Sequence, residues 1–269
     1  MSSSKRPPLP DPPPRGGRES TKSNGVVLMA SVDGLHTLEP CTWLGWLDWV
    51  LPPRCGGCRA LGAWLCAGCR ERVRSLEEPL CPRCGRELEH YRPGCGCQAR
   101  LRTLARLRSA AAYEGPLERA LHRFKYEGWR ALAPTLAGVI VERLPPPDAG
   151  AGPPCLLAVP LHRRRLRERG YNQSDLLARE LRRRWLLPAA TGRLVRLRDT
   201  PPQVGLDRPS RRRNVADAFV WDGPRLAGAP IVLVDDVATT GATLEACGRA
   251  LKTAGAGRIE AVTVARVSA

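Results

Sequence analysis

Lysine, aromatic side chains and long apolar runs are all scarce in this chain of 269 residues. Four of its 43 basic residues are lysines, and Phe, Trp and Tyr together make up 5% of the sequence. Proteins that bind single-stranded nucleic acid without sequence preference stack the bases on aromatic side chains set in a basic groove. The sequence lacks that pattern, although its net charge of +17 would still attract phosphate groups.

Other absences narrow the class of protein further. No run of about 18 apolar residues occurs, so we expect no insertion into a membrane. Residues 1–40 begin with a segment rich in Pro, Gly, Ser and charge, which predicts a disordered tail. This segment has no apolar core of the kind a signal peptide needs, so we expect a cytoplasmic protein. No G-x4-G-K-[ST] sequence occurs, which argues against a P-loop nucleotide hydrolase.

Close cysteine pairs fill the next zone, residues 41–100, which holds nine of the eleven cysteines. A tight turn between paired cysteines points two thiolates at one tetrahedral ion, and two such turns complete a four-thiolate zinc site. The pattern predicts a double zinc ribbon with two structural Zn²⁺ ions, because four ligands leave no open position for catalysis. Disulfides or an iron–sulfur cluster are the alternatives. The candidate ligands are Cys55, Cys58, Cys66, Cys69, Cys81, Cys84, Cys95 and Cys97.

The assignment of these ligands to two ions has alternatives. Sequential sites, with the first four and the last four cysteines, need shorter loops than interleaved sites. The last pair is C-x-C, so His90 could replace Cys95, whereas Cys41 lies too far upstream. A zone too small to bury a core uses metal instead. We therefore expect this zone to have a core separate from that of residues 101–269.

Residues 101–269 alternate short apolar strands with amphipathic helices. Strands are expected in the segments CLLAVP, RLVRL, DAFVW, IVLVDD and RIEAVTVARV, and helices in GPLERALHRFKYEG, residues 131–144, NQSDLLARELRRRW and the segment from Ala242. Such alternation predicts an α/β fold with a parallel sheet covered by helices on both faces.

The segment IVLVDDVATTGAT places two carboxylates after four aliphatic residues. A helix N-terminus offers free N–H groups and a positive dipole end to an anion, and small residues let the backbone approach it closely. Carboxylates accept hydrogen bonds from hydroxyl groups. The segment therefore predicts a ribose 5-phosphate site at the carboxyl edge of the sheet, where such folds bind ligands. The acids are Asp235 and Asp236, and the phosphate loop comprises Val237, Ala238, Thr239, Thr240, Gly241, Ala242 and Thr243.

This segment resembles the phosphoribosyl-pyrophosphate (PRPP) signature of type I phosphoribosyltransferases. The chain from about residue 45 resembles the ComF/GntX family, bacterial proteins linked to competence and DNA uptake. Further support comes from the cysteine pairs and from FKYEG (124–128), VPLHRRRLRERGYNQSDLLA (159–178) and TPPQVGLDRPSRRRNVADAF (200–219). The resemblance implies a type I phosphoribosyltransferase fold behind an N-terminal zinc-ribbon module. The C-x-C at 95–97 departs from the family pattern.

The resemblance also implies PRPP with Mg²⁺ as ligands, and Asp235 and Asp236 as the acids that act on the ribose. The turn after the strand CLLAVP would cradle pyrophosphate, and a mobile flap, RDTPPQVGLDRPSRRRN (198–214), would close over PRPP. The candidates in the turn are Pro160, Leu161, His162, Arg163, Arg169, Asn172 and Gln173. The candidates in the flap are Gln203, Arg208, Arg211 and Asn214.

Several of these candidates have a plain structural alternative. The arginines could form a solvated face, and Asn172 and Gln173 could cap the helix that follows. Lys125 could be a helical lysine whose stem covers an apolar surface, or it could contact a ligand or a subunit.

Two functions of different class follow. The first is a PRPP-binding phosphoribosyltransferase that transfers phosphoribosyl to an unknown acceptor, with a non-catalytic PRPP sensor as a variant. The second is a non-enzymatic adaptor in DNA uptake that binds single-stranded DNA or a helicase partner. Whether the chain forms a homodimer is left open.

Residues 1–40 should be dispensable for folding and for PRPP binding. They lack periodic apolar residues, so they cannot offset the entropy of ordering the chain. A chain beginning at Pro40 should be soluble and should bind PRPP as the full chain does in a calorimetric titration. Insolubility or loss of PRPP binding would contradict the prediction.

Overall fold

The computed structural model describes residues 52–88, 95–147, 152–198 and 218–267. Four parallel strands form the main sheet in the order β1-β6-β5-β2, and β3 and β4 form a separate antiparallel hairpin. The sheet confirms the predicted α/β class. The strands are β1 Arg106–Ala112, β2 Cys155–Ala158, β3 Arg193–Arg196, β4 Phe219–Asp222, β5 Ile231–Ala238 and β6 Ile259–Arg266.

The helices follow the predicted amphipathic segments, with two additions, at Ala67–Glu71 and Arg163–Arg169. The α-helices are α1 Ala67–Glu71, α2 Gly115–Tyr126, α3 Ala133–Arg143, α4 Arg163–Arg169, α5 Gln173–Trp185 and α6 Ala242–Thr253, with short 3₁₀ turns at Cys97–Ala99 and Arg130–Leu132. Helix α4 was not predicted because it is rich in arginine and buries none of its residues. It begins at the His162 cap and ends at Gly170, whose φ of 77° suits glycine.

Strand β1 was also not predicted. Its sequence, RLRSAAA, has none of the β-branched or aromatic residues that are enriched in strands. It lies at one end of the sheet, where the cysteine zone covers it. The N–H groups of Leu107 and Ala112 donate to the carbonyls of Arg83 and Arg74 at 2.7 and 3.0 Å. The cysteine zone therefore satisfies backbone groups that a bare edge strand would leave unpaired.

The sheet separates two apolar cores. Along β5, Val232 and Val234 join the core that contains α2, α3 and α5, whereas Ile231 and Leu233 join the core that contains α6 and the hairpin. This alternation is the two-residue period of a strand. Strand β5 is therefore buried on both faces until it reaches the acid pair.

The cysteine zone contributes to both of these cores. Cys55 and Cys69 pack in the core of α2 and α3, and Cys81, Cys84 and Cys97 pack in the core of α6. The expectation of a separate core for residues 41–100 is therefore wrong for the described part of that zone. The physical reason is that each cysteine cluster is too small to bury its own apolar surface and uses one face of the α/β domain instead.

Hydrogen bonds strengthen this attachment. On the first face, Arg119 Nε donates to the Gly57 carbonyl at 2.8 Å, and Arg123 donates to the Gly56 carbonyl. On the second, the buried Arg266 donates from Nη1 to the Cys84 carbonyl at 2.7 Å. No helix within the described ranges is long and apolar enough to cross a membrane.

Replacing Cys58 by Ser should lower the melting temperature of the whole folded region as a single transition. Cys58 is exposed, so the change leaves no cavity and acts by removing one thiol of its cluster. Calorimetric melting is the measurement, and Cys155→Ser, which lies outside both clusters, is the control. Two separate transitions, with the second at the wild-type temperature, would show that the cores are independent after all.

Candidate functional site

The eight paired cysteines form two clusters. Within each cluster the four Sγ atoms lie within 4.8 Å of one another. In the second cluster, Cys95 Sγ lies 3.2 Å from Cys81 Sγ and 3.4 Å from Cys84 Sγ. A tetrahedral ion with Zn–S bonds of about 2.3 Å would hold sulfurs about 3.8 Å apart. The clusters follow the sequential pairing, Cys55, Cys58, Cys66 and Cys69, then Cys81, Cys84, Cys95 and Cys97.

The surroundings of the thiols suit a cation. The backbone N–H groups of Cys66 and Gly57 point at Cys55 Sγ, at 3.3 and 3.4 Å. Burial alone would raise the pKa of Cys55, but these donors bring the pKa down to about 6. Burial and the neighbouring thiols raise the pKa of Cys69 to about 12. Cys55 and Cys69 can therefore both ionise near neutral pH only with a cation among the thiols, as in a zinc ribbon. His90 and Cys41 lie outside the described residues.

The acid pair lies near the carboxyl end of β5, two residues before the strand ends at Ala238. The loop that follows leads into α6 at Ala242, the predicted start of the helix. Gly241 makes this turn with a φ of 79°, and a Cβ atom there would lie 3.0 Å from Leu101 Cδ2. Thr240 Oγ1 accepts from the Ala242 N–H at 3.3 Å, which leaves its hydroxyl hydrogen to donate. The turn therefore needs glycine and presents hydroxyl and N–H donors.

Asp236 is 3% exposed and forms one ion pair among the described residues. Lys125 Nζ, from the last turn of α2, lies 3.1 Å from Asp236 Oδ1. The other oxygen, Oδ2, is buried without a hydrogen-bond partner among the described residues. A buried carboxylate oxygen without a donor is costly, and its presence calls for an explanation. A hydroxyl group of a ligand would supply the donor.

Asp235 has donors on one oxygen. Its Oδ1 accepts from Ser174 Oγ and from the Asp236 N–H, both at 2.9 Å. Burial, and then the charge of Asp236, raise the pKa of Asp235 to about 7. Burial would lower the pKa of Lys125, but Asp236 and Asp235 outweigh it and raise that pKa. The two acids and the lysine thus form one coupled group of charges.

The turn after β2 lies beside this group. Asn172 is buried, donates from Nδ2 to the Val159 carbonyl at 3.1 Å and accepts from the Ser174 N–H at 3.3 Å. It therefore caps α5 and holds the turn, as the structural alternative expected. His162 accepts from the Arg164 N–H at 3.3 Å at the start of α4, and Pro160 and Leu161 precede it, partly exposed.

Arg169 does not extend alone into solvent. Its guanidinium lies over the ring of Tyr126, 5.1 Å from the centroid, and donates to Gln173 Oε1. Arg163, by contrast, is exposed. The flap candidates Gln203, Arg208, Arg211 and Asn214 lie outside the described residues.

The structure thus brings the acid pair, the phosphate loop and Lys125 together at one edge of the sheet. It adds Ser174, which the sequence did not single out. In the sequence, Ser174 is an ordinary residue in the first turn of a helix. Its hydrogen bond to Asp235 joins positions that are 61 residues apart. The N-cap Asn172 was the available signal, because it places the first turn of α5 at the end of β2.

Two family models match the chain. The double zinc ribbon domain matches residues 46–99, and the phosphoribosyl transferase domain matches residues 195–269. DNA utilization protein YhgH of Escherichia coli O6:H1 is 34% identical over 223 residues, which cover 78% of this chain and 96% of that protein. The chain belongs to the ComF/GntX family.

Other relatives carry competence names. Competence protein F of Haemophilus influenzae is 33% identical over 211 residues, covering 75% of this chain and 90% of the relative. Competence protein ComFC of Bacillus subtilis is 27% identical over 197 residues, covering 70% and 77%. With the parallel sheet, these matches confirm that this ComF/GntX protein combines a type I phosphoribosyltransferase fold with an N-terminal double zinc ribbon.

We predict two equivalents of zinc per chain. The reason is that two separate clusters each offer four thiols at spacings suited to one tetrahedral ion. Metal analysis of protein purified without added metal is the measurement, and Cys95→Ser should reduce the content toward one equivalent. A single zinc in the wild type, or iron with visible absorbance, would contradict the two-site assignment.

Proposed function

We propose that this protein binds PRPP at the carboxyl edge of the sheet and transfers its phosphoribosyl group to an acceptor. The observation that carries the proposal is Asp236 Oδ2, a buried carboxylate oxygen that has no donor among the described residues and lies beside Asp235 and the small-residue loop before α6. A ribose 5-phosphate matches both halves of this arrangement. Its two ring hydroxyls are donors, and its phosphate is an acceptor.

In the proposed binding mode, separate groups of the protein bind the ribose, the 5-phosphate and the pyrophosphate of PRPP. The ribose hydroxyls donate to Asp235 and Asp236, and the phosphate accepts from Thr239, Thr240 and the N–H groups at the start of α6. The turn from Pro160 to His162 lies at the same edge, where the pyrophosphate of PRPP would extend. Mg²⁺ bound with PRPP would neutralise the charge of the departing pyrophosphate. These contacts would hold the anomeric carbon open to a nucleophile.

A second candidate function is an adaptor role in DNA uptake. The names of the relatives, DNA utilization protein and competence protein, favour it, and so does the net charge of +17. Because phosphate contacts dominate such binding, affinity for DNA would fall steeply with salt. Salt-dependent binding of single-stranded DNA that survives replacement of both acids would support the adaptor and place it away from the acid pair.

Asn at either acid should weaken PRPP binding by about 10-fold or more, because a charge-assisted hydrogen bond is worth on the order of 1.5–3 kcal/mol. Thr240→Val should also weaken binding by removing a donor to the phosphate. The measurement is a titration with PRPP and Mg²⁺ by calorimetry. Asp222→Asn, an exposed acid of the hairpin, is the matched control.

Although PRPP binding weakens in Asp235→Asn, the thermal stability of this variant should rise or stay the same. The pKa of Asp235 is raised in the folded chain, so the folded state holds a proton that the unfolded state has released between about pH 4 and pH 7. This costs stability as the pH rises through that range, and Asp235→Asn should raise or preserve the melting temperature at pH 8. A fall in melting temperature with unchanged PRPP binding would identify a structural cap. Wild-type protein that gains no thermal stability from millimolar PRPP and Mg²⁺ would contradict the enzyme proposal.

A further inference from the structure

Lys125 is the one lysine that faces the acid pair within the described residues. Its Nζ lies 3.1 Å from Asp236 Oδ1, and its side chain is 17% exposed. The other lysine in the described part of the chain, Lys252, donates to the carbonyls of Ala256 and Gly257 at the far end of α6. Lys125 therefore differs from a surface lysine whose stem merely covers an apolar face.

The helix that carries Lys125 is fixed on two sides. On one side, the first cysteine ribbon, residues 55–69, accepts hydrogen bonds from Arg119 and Arg123 at the carbonyls of Gly57 and Gly56. On the other side, Phe124 is fully buried, and its carbonyl accepts from the Tyr171 hydroxyl. The ammonium group is thus held at the acid pair by the packing of α2, so little ordering of a flexible chain is needed to place it there.

The charge of Lys125 matters because the buried carboxylate of Asp236 and the partly buried carboxylate of Asp235 are adjacent and repel each other. Without a cation, one of the two would keep a proton at neutral pH, as in other buried pairs of acids. A protonated carboxyl is a poorer acceptor for a ribose hydroxyl than a carboxylate. The other titratable groups around the pair are Tyr113, Tyr171 and Cys247, and burial raises the pKa of each. They stay neutral from pH 6 to 9, so among the described residues Lys125 is the cation that pairs with the acids.

We propose that Lys125 is a positioning residue for the ribose of PRPP, because its ammonium group, 3.1 Å from Asp236 Oδ1, offsets the negative charge of the two adjacent acids and so keeps them as acceptors for two neighbouring hydroxyls. This inference rests on the proposed function and adds a residue to it. Lys125 acts through Asp236 and Asp235 and makes no contact with the sugar itself. It also gives the first cysteine ribbon a role in the site, since that ribbon fixes the helix of Lys125.

The test is the pH dependence of PRPP affinity, measured by calorimetry with PRPP and Mg²⁺ from pH 6 to 9. In the wild type, affinity should rise through about pH 7, where Asp235 ionises. In Lys125→Met the midpoint should move up by about one unit or more, because an opposite charge at this distance shifts a carboxyl pKa by about 1–3 units. Affinity at pH 7 should then fall by roughly 10-fold and largely recover at pH 9.

Two further variants make the result decisive. Lys252→Met removes the same charge at a distance from the pair and should leave the midpoint unchanged. Lys125→Arg keeps the charge and should keep the wild-type midpoint. If Lys125→Met does not fold, Lys125→Gln removes the charge in its place. An upward shift in Lys125→Arg as large as that in Lys125→Met would overturn the proposal.

The remaining outcomes separate the inference from the proposed function. Unchanged affinity and midpoint in Lys125→Met would overturn the role of Lys125 while PRPP binding stands. An equal loss of affinity at every pH would also overturn it, because that pattern belongs to a direct contact with the ligand. Absence of PRPP binding in the wild type would overturn the proposed function, and the role of Lys125 with it.

Discussion

The burial of Asp236 beside the partly buried Asp235 on strand β5 is the constraint on which the proposed site depends. The strand runs through both cores, so the acids leave the apolar interior at a point where water reaches them poorly. Each acid must then be compensated by a neighbour. Asp235 is compensated by Ser174 and a backbone N–H, and one oxygen of Asp236 by Lys125. The remaining oxygen, Asp236 Oδ2, has no donor within the described ranges, and the PRPP proposal supplies one from a ribose hydroxyl.

The two cysteine ribbons, residues 55–69 and 81–97, support the same edge of the sheet, one from each face. The first supports α2 and through it Lys125. The second packs near the start of α6, where Leu101, four residues after Cys97, contacts Gly241. Next to this contact, the N–H and hydroxyl of Thr103 donate to the buried carboxylate of Glu245 in the first turn of α6. The metal-binding zone is thus part of the framework that holds the acid pair and the phosphate loop.

Much of this arrangement could be predicted from residue patterns. Strand β5, the loop and the start of α6 follow from an apolar run, two acids, small residues and a glycine. The short spacings of the cysteines predict two metal sites, but they leave sequential and interleaved pairing open, and the structure selects the sequential pairing. Each of these features is determined by residues that lie close together in the sequence, so it can be predicted from a short segment.

The contacts that were not predicted are long-range. Strand β1 has the composition of neither a strand nor a core, and it forms because β6 and the cysteine zone pair with it. Ser174 and Lys125 reach the acid pair only once α5 and α2 have packed on the sheet. The sequence also does not predict that the cysteine zone shares its cores with the α/β domain. An apolar pattern on one element does not tell which other surface will cover that element.

The most direct test of the central claim compares ribose 5-phosphate with 2-deoxyribose 5-phosphate as ligands of the wild-type protein. The two differ by one hydroxyl group, which the acid pair is proposed to bind. Calorimetric titration should give one equivalent of ribose 5-phosphate per chain and an affinity for the deoxy analogue lower by about 10-fold or more. Equal affinities for the two sugars would contradict the account, because the acids would then have no part in recognising the ribose.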